Sequence, residues 1–170
     1  MHALYAYLAG DHERLDALLD ESYPNSGVID QEKYSKFRSG LLRHIGIEEK
    51  IVFPVIARLQ GGNKFEAADK LRLDHGALVA LLVPPPSATV INTIRALLEI
   101  HNELEEKENG VYSVLDGLAG VEAAGLLEKM KLAPEVPVLP HNDRPGVIDA
   151  ACRALQRAGY LYLARSLKVS

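Results

Sequence analysis

Six residues of two types stand at spacings that could bind metal: His12, His44, Glu48, His75, His101 and Glu105. His44 and Glu48 belong to HIGIEEK (44–50), and His101 and Glu105 to HNELEEK (101–107). Residues four apart on a helix lie about 40° apart around its axis and stack on one face. Each His/Glu pair can therefore aim at one point. Polar side chains facing a helical core are costly when unpaired, and two buried carboxylates repel or take up protons. Cations remove both difficulties, and imidazole with carboxylate suits iron, manganese or zinc. Two divalent ions would use four imidazole nitrogens, with both carboxylates bridging or shared. Positions would remain for water, hydroxide, oxo or a small ligand.

The chain writes this pattern twice. LAGDHERLDALL (8–19) and LRLDHGALVALL (71–82) share L-x-x-D-H-x-x-L-x-A-L-L, and each is followed by H-x-x-x-E-E-K. Such internal similarity points to two related helical hairpins. Either H-x-x-x-E alone reads as an exposed i, i+4 pair. Two copies in register, each preceded by D-H, read as a metal framework.

The elements that must position these residues are helical. Leu4, Leu8, Leu15, Leu18 and Leu19 form an apolar stripe beside His12, ended by SYPNSG (22–27). A second helix is predicted over about 30–60, with Phe37, Leu41, Ile45, Val52, Val55 and Leu59 near His44 and Glu48; Pro54 should kink it. A third runs over about 65–83 to PPP (84–86). A fourth starts at Ser87 as N-cap and passes His101 and Glu105, its end blurred by Gly110, Gly117 and Gly120. At about 1.5 Å per residue, His12 and His44 both fall some 15–20 Å from the turn between their helices. His75 and His101 have matching positions in the second hairpin, so one shared layer is possible. Short connections make an up-down-up-down antiparallel four-helix bundle over 1–120, an all-α fold. A short segment near 122–131, a Pro-rich connection (132–146) and one C-terminal helix over 147–167 should pack on the same domain, making 121–170 an appendage.

Bulk properties narrow the function classes. The 170 residues are 48% hydrophobic and 25% charged, with net charge -4, the balance of a soluble domain with a sizeable core. No long basic run suggests nucleic acid, and no apolar run approaches the roughly 20 residues of a membrane helix. The N-terminus lacks the basic region of a signal peptide. Cys152, the single cysteine, excludes an intrachain disulfide and a CxxC pair and fits a reducing cytoplasm.

GDHERL, RHIGIEEKIVFP, LDHGAL and IHNELEEKENGVY together resemble the hemerythrin family, specifically its HHE cation-binding domains, over about residues 3–118. The family pattern is His on the first helix, H-x-x-x-E on the second, His on the third and H-x-x-x-E or Asp on the fourth. The resemblance implies a non-haem di-iron centre: two iron ions, oxo- or hydroxo-bridged, with the six residues as ligands. Manganese or zinc could replace iron. Oxygen carriers in the family have a second His four residues from the first on the third helix. Here those positions are Leu71 and Val79, so the site is one imidazole short. Relatives resembling iron-centre repair proteins place an extra His between the first helix and the second motif, and this chain has none. The resemblance therefore favours a cytoplasmic protein that binds or senses oxygen, peroxide, nitric oxide or iron.

Two other readings remain. An open di-metal centre could be enzymatic, reducing oxygen or peroxide or hydrolysing a substrate, although no separate nucleophile or cofactor motif is visible. Alternatively, a metal-stabilised bundle could use 132–170 to bind a partner, and a homodimer contact is one such use. Glu49 and Glu106 are expected to be solvated, and Asp11 and Asp74 to be exposed helix acids. His2 and His141 lie outside the repeat; His141 could supply the missing ligand only if its connection folded back over the bundle. Tyr5, Tyr7, Tyr34 and Tyr112 are core or rim residues, one of which could hydrogen-bond a bound ligand. Cys152 reads as a small buried apolar residue.

Overall fold

The computed structural model describes residues 2–169, and among these there is no strand. Helix α1 (Ala3–Ser22) is followed by α2 (Gln31–Ile47), a π turn (Glu48–Val52) and α3 (Phe53–Leu59). Then come α4 (Ala68–Leu81), α5 (Ala88–Glu106), α6 (Val111–Ala119), α7 (Ala123–Lys131), α8 (Gly146–Arg157) and α9 (Leu161–Lys168). The α2–π–α3 rod, α1, α4 and α5 make the expected up-down-up-down bundle. Asp30 caps α2 by accepting from the Lys33 amide at 3.0 Å, and Ser87 caps α5 by accepting from the Val90 amide at 3.2 Å.

Pro54 does not simply kink the second helix. The chain widens just before it, and the Phe53 amide donates five residues back to the Glu48 carbonyl. A proline lacks its own amide and crowds the carbonyl four residues earlier, and a π turn absorbs both defects. It also resets the register, so that Ile51, Val52, Val55 and Ile56 are all buried.

The fourth helix also differs from expectation. It stops at Glu106, the chain turns over 107–110, and α6 begins anew. Asn109 takes a positive φ of 62°. A Cβ at Gly110 would collide with the carbonyl oxygens of Glu105 and Lys107, so this reversal is built for glycine. The stretch Ala88–Lys131 is apolar enough by length and composition to cross a membrane, but the structure divides it at this turn and again at Gly120.

Two apolar clusters fill the bundle. One holds Leu15, Leu19, Phe37, Leu41, Leu78, Leu81, Ile94 and Leu97. The other holds Leu4, Leu8, Ile51, Val52, Ile56, Leu71, Val111 and Leu115. Each bundle helix passes from one cluster to the other: Leu8 and Leu15 flank His12, and Leu71 and Leu78 flank His75. The polar layer lies between the clusters. Each fully buried leucine there contributes roughly 2 kcal/mol, so the flanking cores hold the layer at a fixed height.

The C-terminal region is a hairpin rather than one helix. Gly159 has φ 93°, and the Tyr160 amide donates to the Leu155 carbonyl at 2.8 Å, a helix stop that needs glycine in the left-handed region. Ala151, Cys152, Leu155, Leu163 and Leu167 join the first apolar cluster. The 132–145 connection is held against α2 by side chains donating to its carbonyls: Ser39 to Val136, Arg38 to Leu139 and Arg43 to Ala133.

Candidate metal centre

All six residues singled out by the repeat meet in one layer, and each is at most 4% exposed. Their donor atoms form two groups, His12–His44–Glu48–Glu105 and Glu48–His75–His101–Glu105, each compact enough to hold an ion. Both carboxylates belong to both groups. Glu48 Oε1 lies 3.3 Å from His44 Nε2, and Glu48 Oε2 lies 3.1 Å from His75 Nε2. Glu105 Oε2 lies 3.4 Å from His12 Nε2, and Glu105 Oε1 lies 3.3 Å from His101 Nε2. Each carboxylate thus turns one oxygen to each group, the geometry a bridging ligand needs.

The imidazoles are aimed by acids on neighbouring helices. His44 Nδ1 lies 2.9 Å from Asp11 Oδ2, and His75 Nδ1 lies 2.7 Å from Glu49 Oε1. His101 Nδ1 lies 3.3 Å from Asp74 Oδ2, and His12 Nδ1 lies 2.5 Å from Glu106 Oε1. A carboxylate only accepts, so each Nδ1 carries its proton and each Nε2 faces the centre. The contacts run α1 to α2, the π turn to α4, α4 to α5 and α5 back to α1, a closed cycle. This corrects the sequence expectation for these acids. Asp74 is fully buried, Asp11 is 11% exposed at its side chain, and Glu49 and Glu106 are partly covered. Adjacent helix residues diverge by about 100°, so Asp11 cannot reach His12 but does reach the next helix. The signal was in the repeat: both copies keep the Asp before His and the second Glu.

Tyr112 is a further member. Its hydroxyl donates to Glu48 Oε1 at 2.5 Å, and it lies 3.0 Å from Glu105 Oε2, 2.9 Å from His12 Nε2 and 3.1 Å from His44 Nε2. The 107–110 turn brings it there. Of the other tyrosines, Tyr5 donates to the Glu106 carbonyl at 2.8 Å, while Tyr34 stacks on His141 in the first apolar cluster. His141 folds back over α2 but at Tyr34, outside both donor groups. His2 pairs with Asp116 at the surface. Leu71 is buried in the second cluster and Val79 is exposed.

The second donor group is polar and unsatisfied. Glu48 Oε2, His75 Nε2 and Glu105 Oε1 are buried without a well-aligned hydrogen bond among the described residues, the 3.1 Å approach of Glu48 Oε2 to His75 Nε2 being an ion-pair contact. Three orphaned atoms converging at one point would cost several kcal/mol in total, and a cation satisfies all three. The electrostatics agree. Burial works against a charged His44, but Glu48 and Asp11 raise its pKa to about 10. His101 is likewise raised to about 10 by Glu105 and Asp74 against burial, and His75 to about 9 by Glu48 and Glu49. Burial opposes ionisation of Glu48, yet His44 and His75 hold its pKa well below the usual range. The layer demands positive charge, which protons supply when metal does not. A cleft of about 410 Å³ between α1 and α5 is lined by His12, Glu106, Glu13, Asp16 and Glu99, an acidic approach that favours cations.

A family model described as the hemerythrin HHE cation-binding domain matches residues 3–131. No curated protein and no solved structure matches the chain significantly. The matched stretch runs from α1 to the end of α7 and contains both donor groups, the orienting acids and Tyr112. On that match, and with a donor layer suited to cations, the chain belongs to the hemerythrin HHE cation-binding family.

Proposed function

We propose that the protein holds a non-haem di-iron centre and uses it to bind or sense a small ligand: oxygen, peroxide, nitric oxide or iron itself. The observation that carries this reading is the pair of four-donor groups sharing Glu48 and Glu105. Mixed imidazole and carboxylate donors suit iron, with manganese and zinc as competitors. His12, His44, His75 and His101 act as end-on ligands, Glu48 and Glu105 bridge, and the four outer acids set the imidazole orientation. Apolar clusters flank the donor layer on both sides. An apolar cleft lined by Ile47, Ile51 and Leu132 contains none of the six residues.

Metal content per chain on tag-free protein, with ultraviolet–visible spectra in air and after reduction, tests the reading. The expected result is about two irons per chain and bands that change on reduction. His44→Ala combined with His101→Ala should abolish stoichiometric binding; full retention would sink the assignment. Two zinc ions and a featureless spectrum would keep the site and remove the redox role.

A further inference from the structure

We propose that Tyr112 is a fifth protein ligand to the ion held by His12 and His44, so that the two metal positions are chemically unequal. This rests on the di-metal reading above. All four donor atoms of the first group lie 2.5–3.1 Å from the Tyr112 hydroxyl oxygen. A phenol has one proton to donate and cannot satisfy four polar neighbours by hydrogen bonding alone. Its oxygen stands at the distance from all four that separates neighbouring ligands of one ion.

The ring is fixed in that position. Tyr112 is fully buried, Tyr5 meets it edge-on with centroids 6.1 Å apart, and the Gly110 turn sets its backbone. Among the described residues the second group has no equivalent. The aromatic ring against His75 is Phe53, stacked at 5.9 Å, which carries no donor atom. The three orphaned atoms are all on this second side. Five protein donors therefore face one position and four face the other. On loading, the phenol O–H bond breaks, its proton leaves to solvent and an oxygen–metal bond forms, with no change of oxidation state. The position at His75 and His101, with four protein donors, would keep a coordination place for an added small ligand.

The test uses the full chain loaded anaerobically with ferrous iron, oxidised in air and examined by metal analysis, visible absorption and resonance Raman. The expected result is a phenolate-to-ferric charge-transfer band with enhanced tyrosine ring modes. Tyr112→Phe should lose it completely at unchanged iron content, and Tyr5→Phe should keep it. Wild-type protein with two irons and no phenolate signature overturns the role of Tyr112 while leaving the di-metal reading standing. So does a band that survives Tyr112→Phe. If that variant does not fold, ring-deuterated tyrosine in the wild type supplies the second measurement. Shifted modes that persist in Tyr5→Phe and Tyr7→Phe support the proposal, and unshifted modes overturn it. Uptake of fewer than two ions by the wild type overturns the di-metal reading, and this assignment with it.

Discussion

The hydroxyl of Tyr160 donates to Asp74 Oδ2 at 3.1 Å, joining the C-terminal hairpin to the acid that orients His101. Lys70 completes the junction: its ammonium contacts Asp74 Oδ1 at 2.5 Å, the Tyr160 hydroxyl at 2.8 Å and the Ala158 carbonyl at 2.9 Å. Tyr160→Phe removes one hydrogen bond to a buried carboxylate and should cost about 1–3 kcal/mol in the metal-free protein. Two ions should still bind, with the one at His75 and His101 held up to about 10-fold more weakly. Chemical denaturation and competition with a chelator measure the two effects separately.

The outer acids should matter nearly as much as the ligands. Asp11→Asn, Asp74→Asn, Glu49→Gln and Glu106→Gln each weaken the acceptor that fixes an Nδ1–H. Each should lower metal affinity by about 10–100-fold without removing a ligand. Glu21→Gln, exposed at the far end of the same helix as Asp11, is the control and should change affinity little. Equal behaviour of all five variants in isothermal titration would show that the acid cycle does not orient the imidazoles.

Stability of the metal-free protein should depend on pH in a defined direction. The histidines are raised from 6.5 to about 10 for His44 and His101 and to about 9 for His75. Their contribution is therefore complete below pH 6.5, falls as pH rises and is gone above about 10. Glu48 and Glu105 are lowered from 4.5, so their contribution is present above that pH and is lost in acid. The metal-free layer should be most stabilising between about 4.5 and 6.5. Denaturation midpoints across pH check this, and metal loading should flatten the alkaline side.

Metal uptake should release protons. Two divalent cations would displace the imidazole protons, and a Tyr112 ligand would release its phenol proton as well, so loading at neutral pH should liberate about five protons per two ions, or about four if Tyr112 stays a phenol. Titrations in buffers of different ionisation enthalpy give this number directly. Uptake with no proton release would mean that the imidazoles are already neutral before metal arrives.

Gly110→Ala should damage the site from outside it. Its Cβ would strike two backbone carbonyl oxygens that have no freedom to withdraw. The turn must open, costing more than about 1 kcal/mol and displacing Tyr112. Thermal melts of the metal-free and loaded forms check both consequences.

Much of this protein was legible before folding. Helical period placed the bundle, and His and Glu four apart on two helices placed six donors, because side-chain direction on a helix follows from spacing alone. The outer acids were visible as repeated letters but not as partners. Asp11 and Glu49 point away from their own helix's donor, and only the neighbouring helix supplies the imidazole they meet. The turn at 107–110, the π turn before Pro54 and the stop at Gly159 were readable as breaks without direction. Which way the chain leaves a break depends on what packs against it. Tertiary structure therefore decided that Tyr112 rather than Tyr5 or Tyr34 reaches the donor layer, and that Tyr160 touches Asp74.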